Sequence, residues 1–288
     1  MKFLIIIATV IALSQAKVVL QTHINDELDT FFDQALIEGN TSFLRLFSEL
    51  TAFLEPKARD TRTAYATYQQ SVYRFPFDQL TTNTRNSFEN LVTIVDNYIS
   101  QTIGTLEGRA LDIVWNKDST TGQRGPNTPS EDVLNGYLRM DIENMKQNFA
   151  LADETCAASL FPQLIPHYQQ YVDAISAAAV NQITTIPSRF THSYGMIMQS
   201  NEATAQFVNY IDLCAIVTNS ENCITNWMEV YYHCSSCRFL ESFGLPSGQI
   251  QIDSYDLNNA YVHAKDNAFA ILSSNPILTD VINCRPKM

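Results

Sequence analysis

The stretch "INDELDTFFDQALIEGNTSFLRLFSELTAFLEP", residues 24–56, sets the fold class. Ile24, Leu28, Phe31, Phe32, Ala35 and Leu36 step by three and four, and Phe43, Leu46, Phe47, Leu50, Phe53 and Leu54 repeat the step. That spacing lines one side of an α-helix, whereas a half-buried strand alternates every second residue. Asn25 stands where an N-cap belongs, acidic residues fill the first turn and Gly39 marks a stop, so a first helix is predicted here. Pro56 ends a second, and the short "GNTS" connection folds the two into an antiparallel hairpin.

The same periodicity runs through most of the chain. A third segment carries Ala64, Tyr65, Tyr68 and Val72 and stops at "RFPF". A fourth keeps one apolar face from Ser87 to Trp115, with Gly104 and Gly108 marking a bend or a close helix crossing. "NKDSTTGQRGPN", residues 116–127, reads as the boundary loop, and Thr128, Pro129 and Glu131 then form an N-cap, first-position proline and capping-box acid. From there Leu138, Ile142, Met145, Phe149, Ala152 and Cys156 make one seam, broken by Pro162 and Pro166. Further helices are predicted from Tyr168 to Ile186, Ala203 to Val217, Ile224 to Cys234 and Tyr261 to Leu272, and "GLPSGQIQID", residues 244–253, reads as a turn with a short strand. The expected fold is mainly α, a multi-helix bundle or array.

"MKFLIIIATVIALSQA" has a basic residue, a short apolar run and small residues at its end, the pattern of a secretory signal peptide over residues 1–16. The run is shorter than the roughly 20 residues that span a bilayer, so membrane insertion is not expected. Without Lys2 the chain has 17 basic and 30 acidic residues, a net charge of 17 − 30 = −13. This sign disfavours nucleic acid as a partner, and the dispersed acidic residues read as a solvated surface.

All six cysteines, Cys156, Cys214, Cys223, Cys234, Cys237 and Cys284, follow residue 155. An even number in an oxidising compartment predicts three disulfides, with the pairing open. The chain then divides into a cysteine-free helical region, residues 17–127, and a disulfide-stapled helical region, residues 128–288, which pack separately or as one unit. Cys234 and Cys237 in "CSSC" share a helix face. Zinc needs four ligands and a redox pair needs a helix N-terminus after a strand, so a structural staple is the favoured reading.

No G-x-S-x-G elbow, H-E-x-x-H, phosphate-cradling glycine loop or EF-hand loop occurs, and no cofactor or metal is implied. A triad assembled from distant positions, using His167, His192 or His233, stays open. Asn40-Thr41-Ser42 is an N-glycosylation sequon in the predicted helix connection, where Thr41 or Ser42 serves alternatively as a cap. Tyr65, Tyr68, Tyr73, Tyr168, Tyr171, Tyr231 and Tyr232 suit either a core and its rim or an apolar cavity with orienting hydroxyls.

The signal peptide, the tyrosine-bearing "YQQYVDAISAAAVNQI", the cluster "CAIVTNSENCITNWMEVYYHC" and the C-terminal "AYVHAKDNAFAIL" lie in a chain whose second half, Thr128 to Cys284, resembles the tsetse EP-type domain of secreted insect proteins. The acidic Glu-Pro tail of that family's founding protein is absent here. The resemblance implies a secreted insect protein of gut or body fluids, linked to immunity in some members and without known catalytic residues. The expected function is therefore non-catalytic binding of an extracellular partner in insect gut, haemolymph or reproductive fluid. A carrier of small apolar ligands is the alternative, and an extracellular hydrolase or a thiol exchanger at Cys234 and Cys237 is the alternative of another class.

Overall fold

The computed structural model describes residues 2–115, 134–232 and 239–285. Among these the chain is helical almost throughout, with no strand. The helices are α1 (Lys2–Arg74), α2 (Thr82–Gly104), α3 (Ala110–Val114), α4 (Arg139–Leu151), α5 (Glu154–Arg189), α6 (Thr191–Ile216), α7 (Ser220–Trp227), α8 (Phe239–Ser273) and α9 (Pro276–Asn283). No helix among the described residues is long and apolar enough to cross a membrane.

Helix α1 corrects the predicted hairpin: it passes Gly39 and Pro56 without interruption. The reason is phase. Gly39 is itself buried and sits four residues from both Ala35 and Phe43, so the two apolar stripes form one face. Thr41 does not cap; its hydroxyl donates to the Ile37 carbonyl at 2.7 Å, and Ser42 Oγ donates to Ser176 Oγ at 3.1 Å. Pro56 is exposed, and the Lys57 ammonium donates to the Phe53 carbonyl at 2.8 Å on the turn that the proline disturbs.

Two compact units emerge, one comprising residues 1–46, 122–182 and 259–288, the other 47–121 and 183–258. Each draws on both sides of residue 127, so cysteine content does not follow compactness. The boundary loop at 116–127 and the capping box at Thr128–Glu131 lie outside the described residues.

The first unit packs Ile24, Leu28, Phe31, Phe32 and Ala35 of α1 against Ile142, Met145 and Phe149 of α4 and Leu164, Tyr168, Tyr171, Val172 and Ile175 of α5. Here the seam predicted for residues 138–156 breaks earlier than expected. Helix α4 stops at Leu151, Ala152 is extended, and Asp153 Oδ1 accepts the backbone N–H groups of Thr155 and Cys156 at 3.0 and 3.2 Å, starting α5. Pro162 and Pro166 do not break α5; both face solvent, where water can reach the carbonyls left without an N–H partner. Half-buried Cys156 is bonded to Cys284, and Asp153 N–H donates to the Cys284 carbonyl at 3.0 Å, fixing the chain after α9 to the start of α5.

The second unit is built on aromatic rings. Phe207 of α6 stacks on Trp227 with centroids 4.7 Å apart and planes at 11°, and Tyr68, Phe88 and Phe239 close around it. Glu221 accepts from Thr81 N–H, Thr81 Oγ1 and Thr84 Oγ1 at 2.8, 2.8 and 2.6 Å, tying the start of α7 to the start of α2. Those donors hold its carboxyl below the usual carboxylate range. Cys214–Cys223 joins α6 to α7.

Gly104 and Gly108 mark no close crossing, since a Cβ at either would meet nothing within 4 Å. They flank and enter a π-helical segment, Thr105–Arg109, between α2 and α3. The close approach is instead at Gly244, where a Cβ would lie 3.3 Å from the Tyr98 ring. The turn and strand expected at residues 244–253 are helical, inside α8, with Pro246 buried.

Among the described residues there are two disulfides rather than the predicted three; Cys234 and Cys237 lie outside the described residues. Cys156–Cys284 spans 128 positions and Cys214–Cys223 spans 9. Chain entropy gives roughly 5 kcal/mol for the longer loop and roughly 2.5 for the shorter. Denaturant unfolding of the two double-serine variants should show the larger loss for Cys156→Ser/Cys284→Ser. Phe207→Ala should cost about 3–5 kcal/mol and shift the emission of Trp227, since its stacked ring is removed.

Candidate functional site

On the first unit, α4, the π-helical segment Leu134–Leu138 that leads into it, and α8 present residues one turn apart along a common groove. Tyr137, Asp141 and Asn144 follow at steps of four and three, facing Phe269, Leu272 and Ser273, with exposed Met140 at the edge. The groove encloses about 290 Å³ and is open to solvent. Its wall is aromatic: the Tyr137 and Phe269 ring centroids are 4.2 Å apart at 35°. Leu272 is buried and closes the floor.

Helix α5 stands behind both walls. Tyr168 is fully buried, and its hydroxyl donates to Asp141 Oδ2 at 2.7 Å. The neighbouring His167 donates from Nε2 to the Ile271 carbonyl at 3.0 Å on α8, which fixes the proton on that nitrogen. One dipeptide therefore anchors the two helices that form the groove.

Burial raises the Asp141 carboxyl above its usual range, against the Tyr168 hydrogen bond and the nearby His167, which both pull it down. Burial, and then the Asp141 charge, raise the Tyr168 hydroxyl far above the usual phenol range, so it remains a donor. Asp141 Oδ1 accepts no hydrogen bond from the described residues, and no cation pairs with it among them. The nearest basic side chains on α4 are engaged elsewhere. Lys146 pairs with Asp29 and Glu143, and the Arg139 guanidinium lies 4.6 Å from the Phe32 ring centre.

The tyrosines divide between the two sequence readings. Tyr168 and Tyr171 are core, and so is Tyr261, a residue that the sequence placed only on a helix face. The hydroxyls of Tyr171 and Tyr261 are buried with no hydrogen-bond partner among the described residues. In the second unit Tyr68 is buried, donating to the Val92 carbonyl at 3.0 Å, Tyr65 donates to Asp96 at 2.6 Å, and Tyr73 is 90% exposed. The side chains of Tyr231 and Tyr232, and all of His233, lie outside the described residues. His192 is exposed. Asn40 is exposed on α1, on a helix rather than in a connection.

A second groove, of about 340 Å³, lies in the second unit beside the π-helical segment, with Ala58, Leu106 and Leu111 as its apolar part. Its charges compensate each other internally, because Arg62 pairs with Glu107 across it. The groove at Asp141 differs in holding a single, partly buried carboxylate that accepts from a buried tyrosine. Asp141 and Tyr137 were not legible as a site from sequence, because the Tyr168 contact is 27 residues distant and Phe269 lies on the far helix. Comparison with protein-family models, curated proteins and solved structures gives no match.

A carboxyl raised in the folded state stabilises the protein below its unfolded value, near 3.8, and that contribution is lost as pH rises through the folded value. Asp141→Asn keeps an oxygen for Tyr168 and lacks this loss. Its urea midpoint, relative to the parent protein, should rise between pH 3.8 and neutrality. A relative midpoint that is flat, or that falls, across this window contradicts the assignment.

Proposed function

We propose that this chain is a secreted, non-catalytic extracellular protein that acts by binding, with the groove at Tyr137, Asp141 and Phe269 as its binding surface. The observation that carries the reading is an open aromatic groove backed by a fixed hydrogen-bonded pair, Tyr168 and Asp141. Aromatic walls with few convergent polar groups are the usual composition of small-ligand sites. This favours the carrier form of binding over a broad protein interface, and it is an open groove that holds the ligand.

The N-terminal apolar run and the disulfides support secretion, since such bridges persist in oxidising compartments. The likeness of the second half to secreted insect proteins supports a setting in insect gut, haemolymph or reproductive fluid, with a role in immunity. Exposure of Asn40 supports a glycan there.

A neutral apolar dye, Nile red, tests the groove directly. Saturable binding with a blue-shifted emission is expected, weakened at least fivefold by Tyr137→Ala combined with Phe269→Ser. Binding left unchanged by both substitutions places the dye elsewhere and removes the support for this groove.

A further inference from the structure

The open oxygen of Asp141 identifies a ligand class. We infer that the groove takes a small organic amine with an aromatic or apolar body, its ammonium group on Asp141 Oδ1 and its body against the packed ring pair of Tyr137 and Phe269. This deepens the binding reading above and rests on it.

Four observations converge. First, the carboxylate is partly buried on the groove, and its only hydrogen-bond donor among the described residues is Tyr168, on the other oxygen. A partly buried anion, here near His167 but in no ion pair among the described residues, gains from a positive partner. Second, the Tyr137 and Phe269 rings, packed on each other with centroids 4.2 Å apart, form one wall of the groove, and an aromatic ring attracts a cation at its outward face, most strongly where water is displaced. Third, the rim supplies acceptors for the remaining N–H groups of an ammonium: Ser273 Oγ, and the amide oxygen of Asn144, which Asn148 Nδ2 orients by donating to it at 2.9 Å. Fourth, the thioether of Met140, 71% exposed at the edge, offers a soft, adaptable contact for a hydrocarbon or ring.

A divalent metal is a poorer fit to the same residues. One carboxylate oxygen with an amide and a hydroxyl falls well short of the roughly six oxygen ligands that calcium or magnesium takes. A carboxylate or phosphate ligand would meet Asp141 as a like charge. The acidic balance of the whole chain adds a long-range field that favours cations.

The test uses the full secreted chain and three probes of one shape: phenethylamine, the neutral 2-phenylethanol and the anionic 3-phenylpropanoate. Affinities come from titration calorimetry or ligand-observed NMR. The amine should bind at least tenfold tighter than the alcohol, and the anion should bind weakest. In Asp141→Asn the advantage of the amine should vanish while the alcohol keeps its affinity, and Tyr137→Ala should weaken both. Circular dichroism and the thermal midpoint verify that each variant folds.

Equal affinity for amine and alcohol in the parent protein overturns the amine assignment and leaves the groove reading standing. An amine advantage that survives in Asp141→Asn overturns it as well. No binding of either the amine or the alcohol at millimolar concentration overturns the groove reading itself. A short Lys-Phe peptide, capped at both ends, that binds tighter than phenethylamine overturns the small-amine assignment in favour of a protein partner.

Discussion

The unbroken run of α5 past Pro162 and Pro166 is the constraint on which the first unit depends. Each proline in a helix interior removes one backbone bond and costs roughly 3 kcal/mol. Beyond them, Tyr168, Tyr171, Val172 and Ile175 are all buried, at roughly 1.5–3 kcal/mol for each large side chain. The burial term outweighs the two lost bonds, provided that the helix keeps its phase. Were the helix to end at Pro162, Tyr168 would lose its register with Asp141, and His167 would lose the Ile271 carbonyl. The groove is thus a consequence of α5 as much as of the two helices that line it.

Two carboxylates illustrate what distinguishes a tie from a site. Glu221 is surrounded by donors from Thr81 and Thr84, which hold its carboxyl low, and it ends two helices where their N–H groups are unpaired. Its lone pairs are spent on the fold. Asp141 has one donor among the described residues, is raised by burial and lines a groove. The first arrangement stabilises the charged form, whereas the second leaves that form wanting a partner. In the second groove Arg62 and Glu107 likewise pair their charges with each other.

Much of the fold was legible in the spacing of apolar residues. Ile24, Leu28, Phe31 and Phe32, and again Ile142, Met145 and Phe149, face the core as their periodicity requires. The departures share a cause: a glycine or proline stops a helix locally only where the apolar stripe on either side changes phase, and in α1 and α5 it does not. Ala35, Gly39 and Phe43 keep one phase, so Gly39 is a core position rather than a terminus. The prolines at 56, 162 and 166 all fall on solvent-facing positions, which is where a missing N–H is least damaging. The real break, at Ala152 and Asp153, carries its own signal, an Asp whose side chain caps the next turn. The site was less legible. Nothing local distinguishes Asp141 from the other dispersed acids of this chain, and its character comes from a buried tyrosine on another helix.

The character of the groove turns on Asp141 standing in a partly buried position with Tyr168 as its single donor among the described residues. Carbon-13 NMR of the side-chain carboxyl, followed against pH in the parent protein and in Tyr168→Phe, measures this most directly. The account predicts a titration midpoint above 3.8 in the parent and a higher one still in the variant, where the hydrogen bond that favours the charged form is gone. A parent midpoint at or below 3.8, unmoved by Tyr168→Phe, would contradict it.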